Sequence, residues 1–450
     1  MRDKHALLIN PWIYDFAAYD MWAKPLGLLG MGAVLKANGC RVSYIDCLRA
    51  PHPRMRESAP RTRPGGHGKY YRQIVKTPEV IGDIPRSYAR YGISIDAFKS
   101  DLLGIERPDI ILVTSLMTYW YPGVFEAIRI LKEVFPGVPV VLGGIYAALC
   151  RGHALRYSGA DHVVSHGGEA AALSFLAGLL GIRPARIPDE GDLDSLPYPL
   201  FDLVDPLRYI VLQTSRGCPH RCSYCASHIL SPGMLRRDPI KVVDEIEHWS
   251  TSRGAAHVAF YDDALLFQAE KLALPIMREV ARRGLEVRFH CPNALHARWL
   301  SREMALAMRE SGFSTIRLGL ETADPGRQVK TGGKVTNRDF LQAVDHLFRA
   351  GFHPEEVGAY ILCGLPGQRA QEVMDAVSFV KGAGVRPIIA EYSPLPGTAD
   401  WEEACRSSRY PLAEDPLYQN NTLLPCAWEG LTFEDYRDIR KEASFSPRSP

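Results

Sequence analysis

Three cysteines fall within eight positions of the chain: Cys218, Cys222 and Cys225, in the stretch RGCPHRCSYCASH. Thiolates at C-x3-C-x2-C spacing on one loop are metal ligands by type. A structural zinc site is closed by four protein ligands, commonly two separated pairs, and catalytic zinc sites seldom take three thiolates from one loop. Three thiolates suit three corners of a cubane [4Fe–4S] cluster, with the fourth iron left open. An open iron can bind a small molecule directly and pass it an electron. His220 and His228 stand close enough in sequence to supply a fourth ligand, so a zinc site remains the competing reading.

The other seven cysteines (Cys40, Cys47, Cys150, Cys291, Cys363, Cys405, Cys426) are scattered singly. A disulfide-stapled fold would be unusual at 450 residues, and these read as buried small hydrophobes. The length allows two or three domains. Hydrophobic residues at 46%, charged residues at 23% and a net charge of +2 are ordinary for a soluble protein. They give no reason to expect a membrane or nucleic-acid partner. The start, MRDKHALLINP, lacks the pattern of a secretory signal, and no apolar run is long enough to span a bilayer. The expected location is the cytoplasm.

The elements around the cysteines form two alternating series. The first has strand-like HALLINP (5–11), RVSYIDCL (41–48), DIILVTS (109–115), VPVVLGG (138–144) and HVVSHGGE (162–169), with helical segments between them. Alternation of this kind predicts an α/β fold, a doubly wound parallel sheet of Rossmann or flavodoxin type over 1–182. Such sheets bind ligands at the carboxyl ends of their strands. Those ends carry Asn10 and Pro11, Thr114 and Ser115, Gly143 and Gly144, and Gly167 to Glu169. Small residues there admit a large ligand close to the backbone, or simply make tight turns. MTYWYPG (117–123) lines a ligand face or packs the base of a helix. Residues 49–90, rich in Pro, Gly and Arg, read as an inserted solvated loop, and 183–205 as an acidic, proline-rich linker.

The second series has strands at 209–215, 257–263, 286–292, 315–322, 357–364 and 387–393. Six strand–helix units over 206–405 predict a partial (β/α) barrel with its chemistry at the carboxyl strand ends. The cysteine loop follows the first strand, Asp262 and Asp263 the second, and His290 and Asn293 flank the third end. Glu321 follows the fourth, Gly364 opens GLPGQ after the fifth, and Glu391 and Ser393 lie at the sixth. Residues 406–450 form an extension with one short helix, FEDYRDIRKEA.

Cys218, Cys222 and Cys225, with the aromatic Tyr224 before the last, resemble the signature of the radical S-adenosylmethionine (SAM) enzymes. SRGCP, YDD, GLET, ILCGLPGQ and EYSPLPGT are similar to successive blocks of that family's barrel, over about 209–400. The resemblance implies a [4Fe–4S] cluster whose open iron is chelated by SAM. Reductive cleavage would then give a 5′-deoxyadenosyl radical, with a flavodoxin- or ferredoxin-type protein as electron donor. It places Tyr224 at the adenine and Asp262 or Asp263 at the methionyl amino group, although the family's usual Gly-Gly-Glu run is absent there. Glu321 would meet the ribose or methionyl part, and Gly364 and Gly367 the adenine side, with Gln368 where a glutamate is common. Helix capping is the structural alternative for Asp263 and Glu321.

The first series resembles the cobalamin-binding domain of one large subgroup, through INP, KPLGLL, RVSYID, VVLGGIYAAL and HVVSHGGEA in that order. This implies a corrinoid near Thr114, Ser115, Gly143, Gly144, Gly167 and Glu169. The Asp-x-His-x-x-Gly motif that supplies a lower axial histidine elsewhere is absent, and CLRAPH after Asp46 does not match it. A fold retained without the cofactor is the alternative. In that subgroup methylation of poorly activated carbon is the common reaction, beside ring contraction, cyclisation and oxidation. A methylthiotransferase-like enzyme would need a second cluster, for which only Cys40, Cys47 and Cys150 are nominally available. A non-catalytic metal-binding protein is the reading from a different class. The substrate and any catalytic residue are left unassigned.

Overall fold

The computed structural model describes residues 4–165 and 167–444, so His166 of HVVSHGGE lies outside the described residues. Two compact units are present: Met1–Ile210 with Asp415–Tyr418, and Val211–Glu414 with Gln419–Pro450.

The first unit contains β1 (His5–Asn10), β2 (Ile13–Asp15), β3 (Arg41–Asp46), β4 (Arg72–Ile74), β5 (Ala89–Tyr91), β6 (Ile110–Val113), β7 (Val140–Leu142) and β8 (His162–Val163). Its main sheet has five parallel strands in the order β3-β1-β6-β7-β8. A strand buried on both faces reads as a run of apolar residues, as β1 does from Ala6 to Ile9 between buried His5 and Asn10. Alternate residues serve opposite faces. Leu7 and Ile9 join Ile111, Val113, Val140 and Leu142 in one core, while Ala6 and Leu8 join Ile110, Leu112 and Val141 in the other. Each such Val, Leu or Ile side chain contributes about 1.5–3 kcal/mol on burial. The order also fixes where a ligand can sit. The chain leaves β1 for β3 on one side and returns to β6 on the other, so a crevice opens at the carboxyl ends of β1 and β6.

Two segments differ from their sequence reading. Residues 49–90 are not a plain loop, because β4 and β5 pair antiparallel and β5 pairs with β2. Buried Tyr70, Tyr71, Ile81, Ile84 and Tyr88, dispersed among prolines and arginines, give the insert a small core without any period. Residues 183–205 pack within the first unit through Leu193, Leu200, Phe201 and Val204, all buried. The Asn38 side chain accepts from the Ala185 and Arg186 amides at 2.9 and 2.8 Å, pinning this segment to the end of the helix Leu26–Ala37. The division between units therefore falls after Ile210, inside a strand.

The second sheet is formed by β9 (Ile210–Leu212), β12 (His257–Phe260), β13 (Arg288–His290), β15 (Phe313–Glu321), β16 (Val357–Cys363) and β17 (Arg386–Glu391), in chain order. The short strands β10 (Ser215–Arg216) and β11 (Leu235–Arg236) pair with each other, and β14 (Leu295–His296) pairs with β15. Six main strands in sequential order, joined by five crossovers, make the expected partial barrel. Phe260, Phe289 and Phe313, from β12, β13 and β15, pack ring on ring with centroids 5.2–5.8 Å apart. This aromatic layer holds the strands whose ends build the site.

Candidate functional site

The cysteine loop leaves β10 through Gly217, whose φ is +85°. A Cβ there would lie 1.9 Å from the Gly233 carbonyl oxygen, so only glycine admits this approach. Cys222 is buried, Cys218 and Cys225 are half-buried, and all three are free thiols. Two remote segments grip the loop at Ser223. Its amide donates to the Thr331 carbonyl at 3.3 Å, and its hydroxyl donates to the Asp400 carboxylate at 2.9 Å. The Asp400 amide answers by donating to the Ser223 carbonyl at 3.0 Å. Gly332, at φ +110°, brings its backbone against Cys222, where a Cβ would sit 3.2 Å from the Cys222 Cα.

Charge and aromatic surface surround the sulfurs. The Lys334 ammonium forms an ion pair with Glu321 and lies 5.8 Å from the Tyr224 ring centroid. Gly319 leaves the room, since a Cβ would come within 3.1 Å of Lys334 Nζ. Burial works against the Lys334 charge, but Glu321, Cys222 and Cys225 together lift its pKa above the ordinary value. Burial pushes the Cys218 thiol up to about 11. The Cys222 thiol is also raised by burial, with Lys334 pulling the other way. His296 Nε2 lies 4.0 Å from Cys218 Sγ, and its ring packs on His220 and Trp299. Burial depresses His296 to about 3, so this wall is neutral. On the other side the Cys225 thiol donates to the Ser227 hydroxyl at 3.2 Å, and Ser227 also bonds Asp263.

The remaining strand-end residues have distinct placements. Asp262 is buried, and its carboxylate accepts from the Thr214 hydroxyl at 2.7 Å, the Ser215 hydroxyl at 2.6 Å and the Thr214 amide at 3.1 Å. It fastens the end of β12 to the chain entering the cysteine loop. Burial still raises its pKa, against those bonds. Gly364 and Gly367 take φ of +95° and +64° around a turn closed by Gln368. Gln368 accepts from the Gly364 amide at 2.8 Å and donates to the Leu362 carbonyl at 3.0 Å. Among the described residues, no three His, Cys, Asp or Glu side chains gather as ligands of a single ion. A cubane asks for something else, one thiolate on each of three irons, and three free thiols on a clamped loop fit that demand.

In the first unit, Thr114 and Ser115 follow β6, and Gly143 and Gly144 follow β7. The Ser115 hydroxyl donates to the Gly143 carbonyl at 2.7 Å. Gly144 has φ +95°, and a Cβ there would meet the Ser115 carbonyl oxygen at 2.2 Å. Gly167 is left-handed at +93°, and Glu169 begins the helix Glu169–Leu180. Among the described residues, the Thr118 hydroxyl, buried just beyond this edge, has no hydrogen-bond partner. A rim of small residues with an orphaned donor suits a large ligand bearing acceptors, as a corrinoid does. The aromatics of MTYWYPG mostly pack. Tyr119 is buried, Trp120 donates to Asp15 at 2.7 Å, and Tyr121 stacks on Tyr146 with centroids 5.8 Å apart.

Residues 212–380 match the radical SAM superfamily, and residues 101–176 match the B12 binding domain. The chain is a radical SAM enzyme with a B12-binding domain. A protein of Pyrococcus horikoshii named as an uncharacterized methyltransferase is 27% identical, over 76% of this chain and 77% of its own. The hopanoid C-2 methylase of Rhodopseudomonas palustris is 26% identical, over 64% of this chain and 56% of its own. The solved structure of the radical SAM methyltransferase TsrM from Kitasatospora setae, with cobalamin and a [4Fe–4S] cluster bound, shares the fold. Its TM-score is 0.65 at 16% identity, covering 96% of this chain and 83% of that one.

Several neighbours of the cysteines in this radical SAM enzyme escaped the sequence reading. Lys334, His296, Trp299 and Asp400 lie at, respectively, a turn after the fourth strand, a two-residue strand, a 3-10 turn and a loop. Only TGGK carried a signal, because paired glycines before a lysine mark a close backbone approach. The others sit far from any motif in sequence and meet the loop only in the fold.

Proposed function

We propose that the chain is a cobalamin-dependent radical SAM methyltransferase acting on a poorly activated carbon. The observation that carries it is the pairing, in one chain, of a B12-binding domain with a radical SAM domain. Relatives named as a methyltransferase and a methylase align over 76% and 64% of the chain. When bound, the cluster supplies the electron that cleaves SAM and the corrinoid supplies a methyl carrier. The protein's share is to hold and shield. Cys218, Cys222 and Cys225 hold the cluster on a loop fixed by Ser223. Tyr224, Glu321, Gly364 and Gly367 are assigned to SAM, with Asp263 beside the loop. Asp262 acts through Thr214 and Ser215 as a positioning residue. Thr114, Ser115, Gly143, Gly144, Gly167 and Glu169 are assigned to the corrinoid. An external flavodoxin- or ferredoxin-type protein delivers electrons. No helix among the described residues is long and apolar enough to cross a membrane.

A second reading is a cyclisation, since an anaerobic magnesium-protoporphyrin IX monomethyl ester cyclase of Cereibacter sphaeroides is 26% identical. That alignment covers only 48% of this chain and 40% of its own. The deciding experiment is anaerobic reconstitution with iron, sulfide and hydroxocobalamin, followed by methyl-labelled SAM and reductant. S-adenosylhomocysteine formed in step with label retained by the corrinoid supports the methyltransferase. 5′-Deoxyadenosine with no label on the corrinoid favours the cyclase-type reading. Iron near eight per chain would move the assignment to a two-cluster methylthiotransferase. Stoichiometric zinc with no response to SAM would leave a non-catalytic metal protein.

A further inference from the structure

The first unit contains a cavity of about 360 Å³ that shares no lining residue with the strand-end set Asn10, Thr114, Ser115, Gly143 and Gly144. It lies beside the end of β3, under the insert, with residues 203–209 along one wall. Its volume is in the range of small-molecule sites. The walls are well fixed. Trp22 donates to the Gly65 carbonyl at 3.1 Å and packs on His67 with ring centroids 4.2 Å apart. Gly66, left-handed at φ +79°, presses on Arg208, where a Cβ would come within 2.6 Å.

The lining is mixed in charge, but the two signs are not equally occupied. Five cationic side chains border the cavity: Lys24, Arg49, Arg54, Lys69 and Arg208. All four bordering carboxylates are already answered inside the fold. Asp20 accepts from the Tyr209 hydroxyl at 2.7 Å and the Ala23 amide at 2.8 Å. Asp46 accepts from the Asn10 side-chain amide at 2.8 Å and the Leu48 amide at 3.0 Å. Asp101 pairs with His52 at 3.0 Å, and Asp205 with Arg49 at 2.9 Å. Among the described residues no carboxylate pairs with Arg54 or Lys69, and Arg208 donates to a hydroxyl, that of Thr62. The lining also contains sealed donors. Among the described residues Arg49 Nε is shut from solvent with no hydrogen-bond partner, and the equally sealed Tyr44 hydroxyl faces the Asp46 carboxylate. A buried donor left unmet is costly, and a ligand rich in acceptor oxygens would meet it. Ile45, Leu48, Ile105 and Val204 supply an apolar wall for an organic portion.

We propose that this cavity is a binding site for a phosphorylated small molecule, separate from the corrinoid edge and from the cysteine loop. Arginine forks and a phenol match the several oxygens of a phosphate better than the single plane of a carboxylate.

The test is calorimetric titration of the full, cluster-loaded chain with inorganic pyrophosphate at constant ionic strength. Saturable binding of one pyrophosphate per chain is expected. Arg54→Gln with Lys69→Gln should weaken it about tenfold or more, and Tyr44→Phe severalfold. Iron and corrinoid content should stay unchanged in both variants. Absence of saturable binding, or equal binding by the double variant, overturns the proposal. Equal affinity for citrate overturns the phosphate class. Displacement of pyrophosphate by hydroxocobalamin overturns the separation, because it would assign the anion site to the corrinoid's own phosphodiester.

Discussion

Lys334 and Glu321 form an ion pair behind the cysteine loop, with side chains only 13% and 9% exposed. A charge pair withdrawn from water this far is intolerant of losing one member. Lys334→Met or Glu321→Gln alone should cost about 3–5 kcal/mol, read as a lowered urea midpoint of the anaerobic protein. The double variant should cost clearly less than the sum, because neither charge is then left alone. Simple additivity would mean the pair is not coupled.

The two glycines of the loop entrance make a matched comparison. Gly217→Ala places a methyl 1.9 Å from a carbonyl oxygen, whereas Gly233, left-handed at φ +88°, has nothing within 4 Å of its would-be Cβ. Gly233→Ala should cost only the backbone strain, about 1–2 kcal/mol, and still take up iron. Gly217→Ala should fold its barrel, with unchanged far-ultraviolet circular dichroism, yet bind well under half the wild-type iron. Equal iron in the two variants would contradict the steric account.

Removing a thiol separates cluster binding from folding. Cys222→Ala should lower reconstituted iron from about four per chain to below one and abolish 5′-deoxyadenosine formation. Its thermal midpoint without iron should move by only a few degrees, since the loop is held through Ser223 rather than through the sulfur.

At the first unit's sheet edge, Gly144→Ala would bring a methyl to 2.2 Å from the Ser115 carbonyl, while Gly143→Ala meets nothing closer than 3.8 Å. Corrinoid retained after gel filtration, read by its visible absorbance, should fall strongly in the first variant and little in the second. Iron content should be the same in both.

Asp20 gives a pH signature away from the cysteines. Burial raises its carboxyl pKa, although Lys24, the Ala23 amide and Tyr209 oppose the shift. An acid raised in the folded state binds its proton more tightly there than in the unfolded chain. Its contribution to stability is therefore greatest at low pH and falls as pH climbs from the unfolded value through the folded one. The stability difference between wild type and Asp20→Asn should decline from about pH 4 toward neutrality and then level off. A difference that grows with pH would reverse the assigned sign.

Legibility in the sequence followed the range of the interactions. In the first sheet β1, β6 and β7 stood out because burial on both faces demands runs such as ALLI and IILV, and the remaining strands of both sheets because they alternate with helical segments. The cysteines stood out because their spacing is local. The insert at 49–90 and the segment 183–205 did not, since Tyr88, Phe201 and their neighbours bury apolar groups singly among prolines, with no period to detect. Asp262 was recognised as a strand-end carboxylate, but its bonds to Thr214 and Ser215 depend on two strands lying side by side. Lys334, His296 and Asp400 reach the loop across long stretches of chain that no local pattern announces.

That distance has a consequence for how the protein is made. Ser223 and its partner Asp400 are 177 residues apart, and Thr331 also lies far downstream. Closing such long spans costs entropy that only an otherwise packed barrel can offset. On the ribosome, a nascent chain that has just exposed its three thiols lacks the Thr331 and Asp400 contacts that clamp their loop. The clamp on the cysteine loop is therefore complete only after synthesis has passed Asp400.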